Sequence, residues 1–181
     1  MKQAVGIVEF KKITRGIVAA DAMCKAAAVE IITAQAICPG KYLILVAGDV
    51  GAVNSAVAAA AAVTQESDRV ASFVIPNLQP SVIPALKRQG APKTLRALGG
   101  LECYSVAAAI VAADAAVKCA PVTLIEVRLA RFMGGKAVVT LTGDVEAVTL
   151  AIGAGRGAVP GKVIDSFVLP SPHSKLGTVI F

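Results

Sequence analysis

Alternating and continuous apolar runs along the first half of the chain predict short strands separated by alanine-rich helices. Residues 41–47 form an unbroken apolar run, which is typical of a central strand. In the alanine-rich run at residues 13–27, Asp21 and Lys25 stand four positions apart, the spacing of an ion pair on one helix face. The first half is therefore predicted to contain strands at 4–10, 29–36, 41–47 and 70–75 and helices at 13–27 and 51–64, in the order βαββαβ.

The second half repeats this pattern. The string IVAADA occurs at Ile17–Ala22 and again at Ile110–Ala115. Three charged residues of the first copy (Glu9, Asp21 and Lys25) recur as Glu102, Asp114 and Lys118. Strands are predicted at 98–103, 122–131, 136–142 and 163–169, with helices at 106–119 and from Asp144 onward. The chain is thus a tandem duplication, with domains at 1–92 and 93–181 and a proline-containing linker at 77–93.

Each copy is predicted to be an α+β domain of ferredoxin-like βαββαβ order, with an antiparallel sheet and helices on one face. Asp49 and Ser105 are predicted to cap the helices that follow them. At 123–130, Glu126 and Arg128 alternate with apolar residues, so that strand is expected to have one face in water.

Composition narrows the range of functions. The chain is 56% hydrophobic and rich in alanine, which predicts thin, tightly packed layers rather than a roomy ligand cavity. The formal charge is +6, but the basic residues form no stripe with interleaved aromatics, which argues against nucleic-acid binding. The longest apolar stretch, 105–122, is interrupted by Asp114 and Lys118, so no membrane span is expected. The four cysteines lack CxxC or zinc spacing, which favours a reducing cytoplasm.

No conventional catalytic motif stands out. The single histidine, His173, lies in a proline-rich tail and is interpreted as solvated or capping. Glu9 and Glu102 occur once per copy, whereas general acid–base catalysis needs two carboxylates converging in one pocket. Repeated carboxylates are therefore interpreted as serving the fold or a repeated contact, and the chain is predicted not to be an enzyme.

The two copies differ at one tight loop. The first reads Ile37-Cys38-Pro39-Gly40, and the second reads Phe132-Met133-Gly134-Gly135. The other cysteines, Cys24, Cys103 and Cys119, are expected to behave as small buried hydrophobes. Lys25 and Lys118, late on the first helix of each copy, are interpreted either as solvated helix-end lysines or as side chains that reach a neighbouring molecule.

Taken in order, several strings carry a family resemblance: GIVE, AADAMCKAAAVEI, the PGK loop, LILVAGDVGAVNSAV and SFVIP. They resemble a bacterial microcompartment shell domain, and their doubling resembles the tandem-domain, trimer-forming shell proteins. AICPGKYLILVAGDVGAV is similar to the tandem shell subunits of propanediol-utilisation microcompartments, in which the matching loop cysteine holds an iron–sulfur cluster.

This resemblance implies a homotrimer that forms a pseudohexameric tile in a microcompartment shell, a cytoplasmic organelle boundary. Its pore would be lined by Ile37, Cys38, Pro39 and Gly40 from one copy and by Phe132, Met133, Gly134 and Gly135 from the other. Cys38 from three subunits would bind one [4Fe–4S] cluster per trimer for electron transfer across the shell. A pore of plain thiols that passes small metabolites and a trapped metal such as zinc remain alternatives.

The implied partners are further copies of the chain, other shell proteins and an encapsulated redox enzyme. Lys25 and Lys118 match the edge lysines through which such tiles contact one another. The competing functions are a ferredoxin-like protein or enzyme that binds a metabolite between subunits, and an electron carrier that holds the cluster without assembling into a shell.

Overall fold

The computed structural model describes residues 3–89, 95–129 and 134–176. The chain divides into two compact units, Met1–Leu78 and Gln79–Phe181. The first unit contains β1 (Gln3–Phe10), α1 (Ile13–Ala26), β2 (Glu30–Ile37), β3 (Lys41–Gly48), α2 (Val50–Ala62), a 3₁₀ turn at Glu66–Asp68 and β4 (Arg69–Leu78). The second contains α3 (Val82–Leu86), β5 (Ala97–Cys103), α4 (Val106–Cys119), β6 (Thr123–Arg128), β7 (Ala137–Gly143), α5 (Val145–Ala158) and β8 (Val163–Leu169).

Each unit is built on an antiparallel four-stranded sheet. The strand orders are β2-β3-β1-β4 and β6-β7-β5-β8, so the same topology occurs twice. The continuous apolar run in β3 places Leu43–Ala47 in the buried centre of the first sheet, where Leu45 pairs with Ile7 of β1. The predicted tandem βαββαβ arrangement is therefore confirmed.

The second helix of each copy lies very close to its sheet because the strand beneath it carries a glycine. A Cβ atom on Gly6 would meet side-chain carbons of Val57 and Val53 at 2.8 and 2.9 Å. On Gly99 of the second copy, it would meet Val148 at 2.7 Å. The tight layers expected from the alanine content are present at both interfaces, where small residues let the backbones approach.

Of the two side chains predicted to cap helices, one makes the capping hydrogen bond and the other does not. Ser105 Oγ accepts a hydrogen bond of 3.2 Å from the Ala108 amide and caps α4 as predicted. Asp49 occupies the N-cap position of α2, but its side chain makes no capping hydrogen bond. The backbone carbonyl of Asp49 instead accepts from the Val53 amide while the side chain faces solvent.

The segment predicted as a linker is more ordered than its proline content indicated. The strand β4 continues through Pro76 to Leu78, which is possible because β4 is an edge strand and a proline there breaks no interior ladder. The helix α3 follows and packs against β6 within the second unit. The expected boundary between residues 92 and 93 falls at 90–94, outside the described residues, and the compact units divide at Leu78 and Gln79.

The prediction that one face of β6 is in water is wrong. Glu126 is buried, and its carboxylate oxygens lie 3.0 Å from Arg88 Nε and 2.8 Å from Arg128 Nη2. The hydrogen bond from Arg128 to Glu126 raises the pKa of the arginine. Sequence alternation could not reveal this arrangement because Arg88 comes from the segment just after α3, far away in the chain.

Candidate functional site

The loop in which the copies differ is a tight hairpin in the first unit. Ile37 at the end of β2 pairs with Lys41 at the start of β3, so Cys38, Pro39 and Gly40 alone make the turn. Gly40 has a φ of 70°, in the left-handed region that glycine adopts without strain. The Cys38–Pro39 peptide bond is cis. Three-residue hairpins often have a residue in the left-handed region, which explains the glycine at position 40.

Cys38 is a free, half-buried thiol at the tip of this hairpin. The neighbouring Pro39 and Gly40 are exposed, whereas the Ile37 side chain is buried within its own unit. The hairpin therefore presents Cys38, Pro39 and Gly40 at the surface of the chain, and Ile37 anchors its base.

The corresponding connection of the second unit contains more residues. Residues 129–136 separate β6 from β7, and 130–133 among them, with Phe132 and Met133, lie outside the described residues. Gly134 and Gly135 have φ values of 60° and 88°, so both use the left-handed region. The two loops thus differ in length as well as in sequence.

A glutamate of the central strand anchors the strand that leaves each loop, buried in the first copy and part-exposed in the second. Lys41 Nζ lies 2.8 Å from Glu9 Oε1, and Lys136 Nζ lies 2.9 Å from Glu102 Oε1. The hydrogen bond that Lys136 donates to Glu102 raises the pKa of the lysine. These pairs confirm that the repeated glutamates serve the fold. Sequence reasoning missed their partners, although the lysine after the loop glycine recurs in both copies.

The late lysines of α1 and α4 form the ion pairs expected from their spacing. Lys25 Nζ lies 2.6 Å from Asp21 Oδ2, and Lys118 Nζ lies 2.5 Å from Asp114 Oδ2. Asp114 is buried and also accepts a hydrogen bond from the Gln79 amide, whereas Asp21 is exposed. Both ammonium groups remain accessible to solvent near the ends of their helices.

The expectation that three cysteines are buried holds for Cys103 only. Cys24 and Cys119 are exposed, since they lie next to Lys25 and Lys118 in the last turn of their helices. Burial, together with the charge of the adjacent Glu102, raises the pKa of Cys103 to about 11. Exposed His173 accepts a hydrogen bond at Nδ1 from the Lys175 amide, in agreement with its capping interpretation.

Within the described ranges, no group of three or more His, Cys, Asp or Glu side chains lies close enough together to hold a metal ion. No helix in the described part of the chain is both long and apolar enough to cross a membrane.

Comparison with known proteins identifies both halves. The BMC domain model matches residues 4–78 and 97–172. The bacterial microcompartment shell protein PduT of Citrobacter freundii is 39% identical over 97% of this chain and 96% of its own length. The shell protein PduA of the same organism is 43% identical over 76 residues, which cover 41% of this chain and 82% of PduA.

Solved structures agree with this assignment. The crystal structure of a microcompartment protein from Desulfitobacterium hafniense DCB has a TM-score of 0.93 and 42% identity, covering 98% of this chain and 99% of that one. A fused permuted hexameric shell protein, MSM0275 from the RMM microcompartment, has a TM-score of 0.63 at 23% identity over 87% of this chain and 83% of its own, and supports the fold alone. With a BMC domain in each half and a relative matched along nearly its whole length, the chain belongs to the BMC family as a tandem-domain structural protein of the bacterial microcompartment shell rather than an enzyme.

Proposed function

We propose that three copies of this chain close into a pseudohexameric tile, and that Cys38 from each copy meets at its central pore to bind one [4Fe–4S] cluster for electron transfer across the shell. The observation that carries the proposal is the position of Cys38 at the surface tip of a three-residue hairpin. The similarity to the shell protein PduT along 97% of the chain supports the role in a shell. The cluster is proposed from the resemblance of the string at 36–53 to the iron–sulfur-binding shell subunits.

The donor chemistry fits this cofactor. Iron–sulfur clusters are held by cysteine thiolates, usually four. Each chain supplies one free, half-buried thiol in this loop, so a three-fold axis would bring three together. The remaining iron would take an exogenous ligand such as water. When bound, the cluster would accept and release single electrons, which suits transfer through a shell that separates two compartments.

The surrounding residues would hold the thiol in place. The hairpin is closed by the Ile37–Lys41 pair, and the Lys41–Glu9 ion pair fastens the first residue of β3 to β1. Buried Ile37 anchors the strand on the other side of the turn. The loop is therefore short and fixed at both ends, which limits how far Cys38 can move from a shared position.

The second-copy loops would alternate with the Cys38 loops around the pore. Their side of the pore would be lined by Phe132, Met133, Gly134 and Gly135, none of which is a thiolate ligand. This alternation would leave three thiols rather than six at the centre. The redox partner would be an encapsulated enzyme, and other shell proteins would surround the tile.

Anaerobic purification tests the cofactor directly. About four iron ions and four sulfides are expected per three chains, with the brown colour and broad visible absorption of a cluster. The Cys38→Ser protein should lose the bound iron and the colour. The Cys24→Ser protein, a matched change at another accessible thiol, should retain the iron and the colour. Native mass spectrometry on the same samples should give a trimer for all three proteins.

Three results would contradict the proposal in different ways. Iron retained in the Cys38→Ser protein would show that Cys38 is not a ligand of the cluster. A monomeric wild-type protein would show that the ring does not form. A wild-type trimer that holds no iron after anaerobic reconstitution with iron and sulfide would favour the alternative pore, lined by plain thiols and open to small metabolites.

The tile edge is the second part of the proposed function. We place Lys25 and Lys118 there because both ammonium groups are solvent-accessible near the last turn of the first helix of a copy. Small residues follow each lysine, so the long side chain can extend over a flat surface to backbone carbonyls of an adjacent tile. Each lysine keeps an intrahelical aspartate partner, which holds it in position before contact.

A further inference from the structure

Equivalent apolar side chains on the first helix of each copy differ in their exposure to solvent. On α1, Ile13 and Ile17 are 40% and 54% exposed. Their repeat equivalents on α4, Val106 and Ile110, are 1% and 0% exposed. An apolar face that is covered in the second unit is therefore open in the first, although the sequences of the two helices are closely related.

The neighbouring edge strand shows the same difference. Ile31 on β2 is 41% exposed, whereas its equivalent Leu124 on β6 is 5% exposed. The side chain of Asp21 on α1 is 62% exposed, and that of its equivalent Asp114 is 11% exposed. The open patch thus extends from α1 across to β2, and we call it the α1–β2 face.

The segment that follows β4 covers the corresponding surface of the second unit. The helix α3 packs against β6 and contacts α4. Its buried residues are Val82, Ile83, Ala85 and Leu86. Just before α3, the Gln79 amide donates a hydrogen bond of 2.8 Å to Asp114 Oδ1. In this way a short apolar helix and one hydrogen bond from a backbone amide to a carboxylate cover the α4–β6 surface.

The segment that follows β8 begins in the same way. The Val82 amide donates to the Gln79 carbonyl at 3.0 Å, and the Leu176 amide donates to the His173 carbonyl at 2.8 Å. Val82 and Leu176 are each the first helical residue after this turn. The chain then continues as GTVIF at 177–181, beyond the described residues but again rich in apolar side chains.

We propose that the C-terminal segment, residues 173–181, covers the α1–β2 face of a second copy of this chain, as α3 covers the α4–β6 surface. The segment after the first domain covers the domain that comes next, so the segment after the second domain would cover the first domain of the next chain. Asp21 would accept the His173 amide of that neighbour, as Asp114 accepts the Gln79 amide. A head-to-tail contact closes into a ring when its rotation returns to the first copy, as it would after three chains in the proposed tile.

This inference rests on the ring of the proposed function and supplies a contact that would hold it together. Burial of Ile13, Ile17 and Ile31 by an apolar tail would remove the largest open apolar side chains of α1 and β2 from water. The same contact gives the ring a direction, because each chain donates one tail and accepts one.

Photo-crosslinking tests the contact between chains. A chain with a benzophenone amino acid at position 17 and with residues 177–181 removed is co-expressed with the full-length chain. Since the probe-bearing chain lacks this tail, any crosslink to it must come from a neighbour. Trypsin cleaves after Lys175, so a crosslink to the peptide 176–181 is expected in the mass spectrum. It should disappear when both chains are truncated, and a probe at exposed Leu150 of α5 should not produce it.

The outcomes separate this inference from the ring itself. In one outcome, the protein is a trimer by native mass spectrometry while the probe at position 17 labels another peptide or none. That result overturns the tail contact but leaves the ring standing. A full-length probe-bearing chain that links to its own tail also overturns it. A monomer at all concentrations overturns the ring and the contact together.

A second variant gives an independent measure. Ile17→Asp places a charge where the free chain is already exposed, so each unit should still fold, with an unchanged far-ultraviolet spectrum. Because the charge would be buried beneath the tail, the trimer should dissociate at concentrations at which the wild type stays assembled. An unchanged trimer dissociation constant would contradict the proposed contact.

Discussion

Lys41 Nζ lies 2.8 Å from the buried Glu9 carboxylate, and this pair joins the residue that follows the Cys38 hairpin to the central strand β1. The equivalent Lys136–Glu102 pair does the same after the second loop, but there the carboxylate side chain is 35% exposed rather than 5%. The same lysine–glutamate pair therefore occurs in both copies, with a buried carboxylate in the first and a part-exposed carboxylate in the second.

Removing the lysine should therefore cost more in the first copy. Lys41→Met leaves a buried carboxylate without its partner and should lower the free energy of unfolding by about 2 to 4 kcal/mol. Lys136→Met should lower the free energy of unfolding by less than Lys41→Met does, because water can solvate Glu102. Urea denaturation at one fixed chain concentration measures both values. Equal losses for the two variants would contradict the difference in burial.

Two glycines that stand two positions apart on α5, Gly153 and Gly155, should respond in opposite ways to replacement by alanine. A Cβ on Gly155 would lie 2.6 Å from Leu101 Cδ1 and 3.0 Å from the Ala112 carbonyl, whereas one on Gly153 meets nothing within 4 Å. Gly155→Ala should destabilise by about 1 to 3 kcal/mol through overpacking. Gly153→Ala should stabilise by roughly 0.5 to 1 kcal/mol through helix propensity.

Thermal unfolding of the two variants beside the wild type measures this effect. A stable Gly155→Ala protein would show that α4, α5 and β5 can separate without loss, contrary to the close packing described above.

Cys103 should make stability fall at alkaline pH. Its folded pKa of about 11 exceeds the ordinary value of 9.0, so the folded chain holds this proton more tightly than the unfolded chain. The contribution is fully present below pH 9 and is lost as the pH rises to about 11. Relative to Cys103→Ala, the wild type should lose stability across this interval. Parallel curves for the two proteins would contradict the shift.

The same shift predicts selective alkylation. At pH 8, iodoacetamide should modify the exposed Cys24 and Cys119 in the native protein and leave the buried, protonated Cys103 intact. Peptide mass mapping gives the extent at each site, and denatured protein should react at all three. Rapid native modification of Cys103 would be the contrary result.

Lys25→Ala should weaken tile assembly without breaking the tile. The lysine is exposed and its intrahelical pair is a surface one, so the chain should lose little stability. Negative-stain electron microscopy should show sheets or tubes for the wild type and dispersed particles for the variant. Lys162→Ala, at an exposed lysine just before β8, serves as the control. Intact arrays in Lys25→Ala would exclude it from the edge contact.

The duplicated sequence pattern predicted the fold well because apolar residues recur at the same spacing in both copies. Each helix or strand was therefore indicated twice. The covering helix α3 was missed because a five-residue helix that contains Pro84 resembles a linker in sequence. The burial of Glu126 was missed for the same reason, since its partner Arg88 follows that helix. Local sequence patterns cannot reveal the contacts of a segment that is predicted to be neither helix nor strand.

The candidate site was predictable to a different extent. Cys38 was found because it breaks the repeat, and the hairpin around it follows from Pro39 and Gly40. The exposure of Cys24 and Cys119 was not foreseen, because apolar composition in an alanine-rich helix does not reveal which side faces the sheet. The Glu9–Lys41 contact needed strand register, which pairs Glu9 with Leu43 and leaves Lys41 just beyond the end of β1.

If the proposed tile forms, the unequal loops of the two copies have a consequence for how the chemistry of its centre can evolve. A tile made from six identical domains must change all six central loops with every mutation. In the proposed tile, a substitution in the 38–40 turn would affect alternate positions only, while residues 129–136 could vary independently. Gene fusion therefore permits a centre with an odd number of equivalent ligands, which a strict six-fold arrangement forbids.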